Sequence, residues 1–453
     1  MRIKALNIWY SVRSSYWFVP TLMTITAVVL AFITIAVDAS VGQGWTRSLG
    51  KFFGNDPDAA RLLLGTIAGA MITVAGVVFS VTILTLTMAS AQFGHRLITN
   101  FIRDTGTQVV LGTFVATFLY CLLALLAVSS DTNGRFVPSI SVTVSIVLAL
   151  VSVGVLIFFV HHAAESIQAK SIVAKVSHDL DSLIHRVLPK ESDDRLSSDA
   201  QNSILEAFAA GGSPIASASS GYLQAIDRGN LVKTAAEHDL ILISQYRPGK
   251  FVVQGNALVL AWPEEKLDEQ LAERIRNRFI LGDQRTYEQD VEFAIDQLVE
   301  IGVRALSPAI NDPFTAMMCI DRLGAALCQL TSREFPPVHF VDENGKLHLI
   351  EKPLTFGNLM GSAFNQLRQY GRANSAVITR LLEIFTVIVQ RATREDDTLS
   401  LLRHAGMVRR PSQENLPEEL DRQDVEERYQ SFLEALKKIS EKPVRVEYLR
   451  DEG

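Results

Sequence analysis

Four uninterrupted apolar runs near the start of the chain limit its fold more strongly than anything else in it. Phe18 to Val37, Leu62 to Ala91, Thr107 to Val128 and Phe136 to Val160 contain no charged residue over 20, 30, 22 and 25 residues. A helix needs roughly 20 such residues to cross a bilayer core of about 30 Å, and in lipid its backbone polar groups must pair within the helix itself. Four transmembrane helices are therefore expected. The first is read as a span rather than a cleaved signal peptide, because its apolar region is long and no small-x-small site follows it. Composition agrees, since 48% of the 453 residues are hydrophobic, a high share for a soluble protein.

Basic residues at the helix ends suggest an orientation. Arg2, Lys4 and Arg13, Arg96 and Arg103, and Lys170 and Lys175 fall on one side, against Arg47, Lys51, Arg61 and Arg135 on the other. The richer side is expected to be cytoplasmic, which places both termini in the cytoplasm. Residues 1 to 165 hold 9 Lys+Arg and 6 Asp+Glu, net +3, which leaves −9 of the total −6 for the remainder. An acidic second half argues against a nucleic-acid partner, because phosphate binding needs a basic face. The three cysteines, Cys121, Cys319 and Cys328, form no disulfide framework or C-x-x-C metal pattern and read as small buried apolar residues.

The expected architecture is an α-helical membrane protein, four transmembrane helices in residues 1–162, followed by a cytoplasmic α+β domain. Ile167, Ile172, Val173, Val176, Leu180, Leu183, Ile184 and Val187 recur at spacings of helical period, so residues 163–212 read as a connector that continues the fourth span as one helix until Pro189. Residues 213–263 read as a small β-rich module, with strands in Tyr222 to Asp227, Asp239 to Tyr246 and Lys250 to Trp262, and turns at Arg228-Gly229-Asn230 and Arg247-Pro248-Gly249. The Pro-Gly turn and the Gly255 bend resemble the hairpin of biotinyl/lipoyl-type β-domains, without the carrier lysine, so no cofactor is implied. Residues 264–410 read as mainly helical, with helices in Glu264 to Phe279, Tyr287 to Leu306, Pro313 to Leu330, Thr355 to Tyr370 and Asn374 to Ala392, and a hairpin at Asn344-Gly345. Residues 411–453 form a charged helical tail.

The second apolar run carries the clearest pattern. Thr66, Thr73, Ser80 and Thr87 recur every seven residues, and Gly69, Gly76 and Ser90 lie three residues beyond three of them, so one helix face is small and hydroxylated. Two readings fit. Small residues let membrane helices approach closely, and Gly65-x-x-x-Gly69 has the known spacing; a hydroxyl face can also line a pore, exchanging hydrogen bonds with ions or water. The four runs hold no Asp, Glu, Lys, Arg or His, which disfavours proton-coupled transport, voltage sensing and pumping. At the end of this run Gln92, His95 and Arg96 fit either an interfacial anchor or a cytoplasmic vestibule.

Other clusters are weaker. His161 and Glu165 stand four apart but make too few ligands for a metal site. Glu288, Glu292 and Asp296 share a helical stripe that reads as a solvated face. No P-loop, dinucleotide fingerprint, nucleophile elbow or zinc-protease motif occurs, so neither an enzyme nor a cofactor is expected.

The segment Ala305 to Met318, "ALSPAINDPFTAMM", holds two prolines. Ser307-Pro308 and Asp312-Pro313 each place a capping residue before a proline at a first helical position. That makes Ser307, Pro308, Asn311, Asp312 and Pro313 a structural corner, with Asn311 alone lacking a task. Together "SPAINDPFTA", "TVAGVVFSVTILTLTMASAQFGHRLI" and "RPGKFVV" resemble a bacterial predicted-membrane-protein family of unknown function. The resemblance covers nearly the whole chain and implies an inner-membrane protein, but no activity. The expected function is a homo-oligomeric ion channel or channel-like pore, its partners being the lipid bilayer, ions and further copies of itself. The alternative is a membrane-anchored sensing or scaffolding protein.

Overall fold

The computed structural model describes residues 16–41, 56–93, 104–129, 136–166, 168–188 and 212–440. They divide into two compact units, residues 1–172 and 173–453.

Among its described residues the first unit has four helices, α1 (Phe18–Val41), α2 (Pro57–Phe93), α3 (Thr105–Ala127) and α4 (Ser139–Ser166), each long and apolar enough to cross a membrane. The central helix is α3, which packs against the other three. Its core is small and tightly filled: Ala31, Leu64, Ala68, Tyr120, Cys121 and Ala124 form one cluster, and Met71, Ala75, Val78, Val110, Phe114 and Phe159 another. Two polar pairs inside the unit join neighbouring helices. Thr34 Oγ1 lies 2.8 Å from the Tyr120 hydroxyl, and Thr117 Oγ1 lies 3.3 Å from Ser152 Oγ. In lipid such bonds hold helices together because no water competes for them.

The periodic stretch after the fourth span forms two elements rather than the single helix expected. Helix α4 ends at Ser166, and α5 (Ala169–Val187) starts anew. The 3.6-residue period runs through both helices, so periodicity alone could not separate them.

In the second unit α5 buries Val173, Val176, Leu180, Leu183 and Ile184. Eight short strands follow in two sheets: β1 (Ser213–Ala216), β2 (Gly221–Ile226), β3 (Ile241–Ser244), β4 (Phe251–Val252), β5 (Ala257–Trp262), β6 (Phe279–Gly282), β7 (His339–Val341) and β8 (Leu347–Ile350). The five-stranded sheet has the order β1-β5-β3-β8-β7 and the three-stranded sheet β4-β2-β6; only the β3–β8 pair is parallel. The Pro248-Gly249 turn therefore carries the chain from one sheet to the other and closes no hairpin. Residues 228–230, expected as a turn, start helix α6 (Arg228–Glu237), because Asp227 caps its free N–H groups. The expected helix at 264–279 is shorter, α7 (Glu269–Arg276), and its end becomes β6.

A bundle of six helices completes the unit: α8 (Val291–Ala305), α9 (Pro313–Leu330), α10 (Phe356–Tyr370), α11 (Ser375–Val389), α12 (Glu395–Asn415) and α13 (Glu419–Ser440). Phe364 and Phe385, both fully buried, meet edge to face at 5.0 Å in its core. The charged tail is part of this core, since α13 packs on α11 and buries Val425 and Phe432. Gln329 Nε2 donates to Asp181 at 3.1 Å, and Arg333 donates to His185 and to the Leu188 carbonyl, so the end of α9 and the turn after it are tied to α5 and the residue beyond it.

Candidate functional site

The hydroxyl face of α2 points away from the other described helices of the first unit. Ala60, Leu64, Ala68, Met71, Ala75 and Val78 form the buried stripe, while Thr66, Gly69, Thr73, Gly76, Ser80 and Thr87 are exposed on the opposite side and Ser90 is half-buried. A Cβ added to Gly65, Gly69 or Gly76 would touch nothing within 4 Å. Among the described residues of the first unit, the small residues therefore do not serve close packing, one of the two readings left open by the sequence. Ile72 and Phe79 flank the small stripe on one side, Val77 and Leu84 on the other, all exposed.

Each hydroxyl donates to the carbonyl four residues back. Thr66 donates to Leu62 at 2.6 Å, Thr73 to Gly69 at 2.7 Å, Ser80 to Gly76 at 2.9 Å and Thr87 to Ile83 at 2.8 Å. With the proton committed, what these groups turn outward is oxygen lone pairs. The face thus offers acceptors without a fixed charge. Gln92 lies in the last turn of the helix, with only its backbone described, and His95 and Arg96 lie outside the described residues.

Polar groups at the ends of the other helices are structural. Asp38, near the end of α1, accepts from the N–H groups of Ile140 and Ser141 at 2.9 and 3.0 Å and caps α4 from outside. Asp104 caps α3 through the N–H of Thr107 at 3.0 Å, and its Oδ2 also meets His162 Nε2 at 2.7 Å. His161 lies 3.6 Å from the exposed Glu165, and among the described residues no cluster of metal-ligating groups occurs.

In the second unit, the 305–318 segment is a rigid corner. Asp312 caps α9 by accepting from the N–H of Thr315 at 3.1 Å and from its hydroxyl at 2.5 Å, and Pro313 opens the helix. Ser307 works through its carbonyl, which accepts from the N–H groups of Ile310 and Asn311, so Pro308 starts a turn and no helix. Asn311 takes the left-handed conformation, φ +49°, that brings the chain back into α9, a task that suits asparagine because its short polar side chain tolerates that region.

The acidic stripe is not a solvated face. Glu288 is exposed, but the Glu292 side chain is only 7% exposed and is held by Arg247 at 2.7 Å and Lys250 at 2.9 Å. Asp296 bonds Arg285 at 2.6 Å, and Arg285 also grips Asp290 at 2.7 Å. Burial works against the Arg285 charge, yet the two carboxylates hold its pKa above the ordinary arginine value. A shallow crevice here is lined by Arg228, Arg247, Asp290, Glu292 and Glu351. Arg228 is bidentate on Glu351 at 2.7 and 2.9 Å, so the crevice is braced by internal ion pairs. The motif RPGK contributes Arg247 and Lys250 to that brace, a role visible only once residues 42 and 45 positions apart are brought together.

Comparison with known proteins agrees with this membrane architecture. The family model described as predicted membrane protein (DUF2254) matches residues 13–386. An uncharacterized protein of Mycobacterium bovis and one of Mycobacterium tuberculosis are each 33% identical over 375 residues, covering 82% of this chain and 71% of theirs. No solved structure matches the chain.

Proposed function

This chain belongs to the predicted membrane protein family DUF2254, and on that premise we propose that it is a homo-oligomeric pore of the bacterial inner membrane, both termini cytoplasmic, with α2 facing the axis. The observation that carries the reading is the outward face of Thr66, Gly69, Thr73, Gly76, Ser80 and Thr87, which no other described helix of the first unit covers. Copies brought together on this face would surround an axis with glycine surface and hydroxyl lone pairs. Such a wall can replace part of an ion's or water's hydration without trapping it, as a fixed charge would. The outer surfaces of α1 and α4 differ: Leu22, Ile25, Val29 and Phe32 on α1, and Leu150, Ile157, Phe158 and Val160 on α4, are large, exposed and suited to lipid. The second unit, with its continuous helical core, serves as the assembly or gating module, and no enzymatic step is assigned to it.

Purified protein in planar bilayers tests the proposal. Conductance should appear and should fall when Thr73→Leu or Ser80→Leu fills the face, while Leu150→Ala on the lipid side leaves it unchanged. No conductance under any ionic condition, together with a monomeric state in detergent, favours the membrane-anchored sensing or scaffolding role instead.

A further inference from the structure

Helices α10 and α12 face each other along two matched stripes. Gly357, Gly361, Phe364 and Arg368 share one face of α10, and Ser400, His404, Met407 and Pro411 recur at the same spacings on α12. Both helices are antiparallel to α11 and so run in the same direction: Phe364 packs on Phe385 and Gly371 on Val377, and across the next turn the Phe385 ring lies 6.4 Å from that of His404. The register is set near the start of both helices, where a Cβ on Gly357 would stand 3.0 Å from Ser400 Oγ. Gly361 is thereby opposite His404, and Arg368 lies one turn beyond Phe364 on the same face. A long side chain on a helix leans back toward the N-terminus, which carries the Arg368 guanidinium toward the imidazole.

Each of these two side chains holds a nitrogen without a partner. His404 is 6% exposed and its Nδ1 is buried with nothing to bond, and the half-buried Arg368 has a buried Nε in the same condition. Buried polar atoms are nearly always satisfied, by protein, by water or by an ion, so two unpaired nitrogens on facing stripes point to a partner from outside the chain. Both can donate, since the arginine Nε always carries a proton and a neutral imidazole can place its own on Nδ1. There is room between the stripes: a Cβ on Gly361 would meet Asn365 Nδ2 of its own helix at 3.2 Å and no atom of α12 within 4 Å.

Charge selects the kind of partner. The charges that act on the imidazole are those of Arg368 and Arg403, both positive. Burial lowers the Arg368 pKa and no carboxylate offsets it, in contrast to Arg285 and Arg380, each of which is held by two acidic side chains. Among the described residues Arg368 forms no ion pair. A water molecule would complete the hydrogen bonds but leave the positive charge uncompensated, whereas an anion meets both needs.

We propose that a small monovalent anion, chloride being the simplest, binds between α10 and α12, accepting hydrogen bonds from His404 Nδ1 and Arg368 Nε while Arg403 adds positive potential. This site is independent of whether α2 lines a pore. The test follows thermal unfolding of the full-length protein in detergent by circular dichroism, at neutral pH and constant ionic strength, as chloride replaces gluconate. A ligand that binds only the folded state raises the unfolding midpoint. The midpoint should rise and saturate with chloride in the parent chain and in Arg372→Gln, which removes an exposed arginine just after α10, and should stay flat in Arg368→Gln and in His404→Leu. Since Arg368 is half-buried near the end of its helix, its replacement leaves the fold intact, and an unchanged far-ultraviolet spectrum verifies it. Chlorine nuclear magnetic resonance supplies a second readout, a line broadening by the parent chain that Arg368→Gln loses. A parent chain indifferent to chloride in both readouts overturns the proposal and leaves water between the helices. So does an equal response in Arg368→Gln, the mark of a general salt effect.

Discussion

Asp38 and Ser141, 103 residues apart, are joined twice: one carboxylate oxygen of Asp38 accepts from the Ser141 N–H at 3.0 Å and from its hydroxyl at 2.8 Å. The first N–H groups of α4 have no partner within their own helix, so a side chain from α1 supplies it, and the negative charge also complements the positive end of the helix dipole. Asp38→Ala should therefore lower stability by about 1–2 kcal/mol. Thermal unfolding in detergent reads the loss, and a melting temperature equal to that of Leu150→Ala would show that the cap contributes nothing.

Glu292 should matter far more than its neighbour on the stripe. Removing it leaves Arg247 and Lys250 without their shared carboxylate, and Arg247 is itself largely buried. Glu292→Ala should cost about 3 kcal/mol, within the range for a broken buried pair, whereas Glu288→Ala on the surface should change stability by less than about 0.5 kcal/mol. Equal effects in denaturant titrations would return the stripe to a solvated face.

Two glycines of similar backbone angle should respond differently to alanine. Gly249 has φ +92° and a Cβ there would stand 2.1 Å from Asp290 Oδ2, while Gly255 has φ +85° with open space around it. Gly255→Ala should cost about 1 kcal/mol from backbone strain alone, and Gly249→Ala clearly more, because it also displaces a carboxylate paired with Arg285. The ranking, read from unfolding midpoints, is the expectation; a reversed order refutes it.

His404 makes the second unit sensitive to acid. Its side chain is buried, and burial, then the charges of Arg368 and Arg403, lower its pKa from 6.5 to about 4. The unfolded chain binds this proton near the ordinary value and the folded chain does so only near pH 4. The stability is thus fully present above about pH 6.5 and is lost as pH falls toward 4, by roughly 3 kcal/mol in total. Unfolding midpoints across that window should fall less steeply in His404→Leu than in the parent chain; identical slopes would exclude His404 as the source.

Much of this architecture is legible where the cause is local. The four spans follow from uncharged length, and α9 starts at Pro313 and ends at Leu330, as its Asp-Pro start implies. The Asn344-Gly345 turn also joins β7 to β8, with Gly345 at φ +79°. What escaped the sequence depends on distant partners. Nothing near Asp38 announces α4, and nothing near Glu292 announces two cations more than forty residues earlier. Helix α6 was hidden because Arg228-Gly229-Asn230 has the composition of a turn, although Asp227 before it was a capping signal. Helix α12 was not expected from the sequence, and it runs on through Pro411 to Asn415. The face of α2 was visible as a pattern, but which side of the helix met its neighbours could be decided only by the packing of Leu64, Ala68 and Val78.

The length of α2 has a further consequence. Its uncharged stretch from Leu62 to Ala91 lies entirely within the helix and holds 30 residues. At about 1.5 Å per residue it provides about 45 Å of apolar rod for a hydrocarbon layer of about 30 Å. A mismatch of that size is absorbed by tilting the rod or by thickening the lipid beside it. Acyl-chain length and lateral tension both alter layer thickness, so they act directly on the inclination of the helix that carries the glycine and hydroxyl stripe.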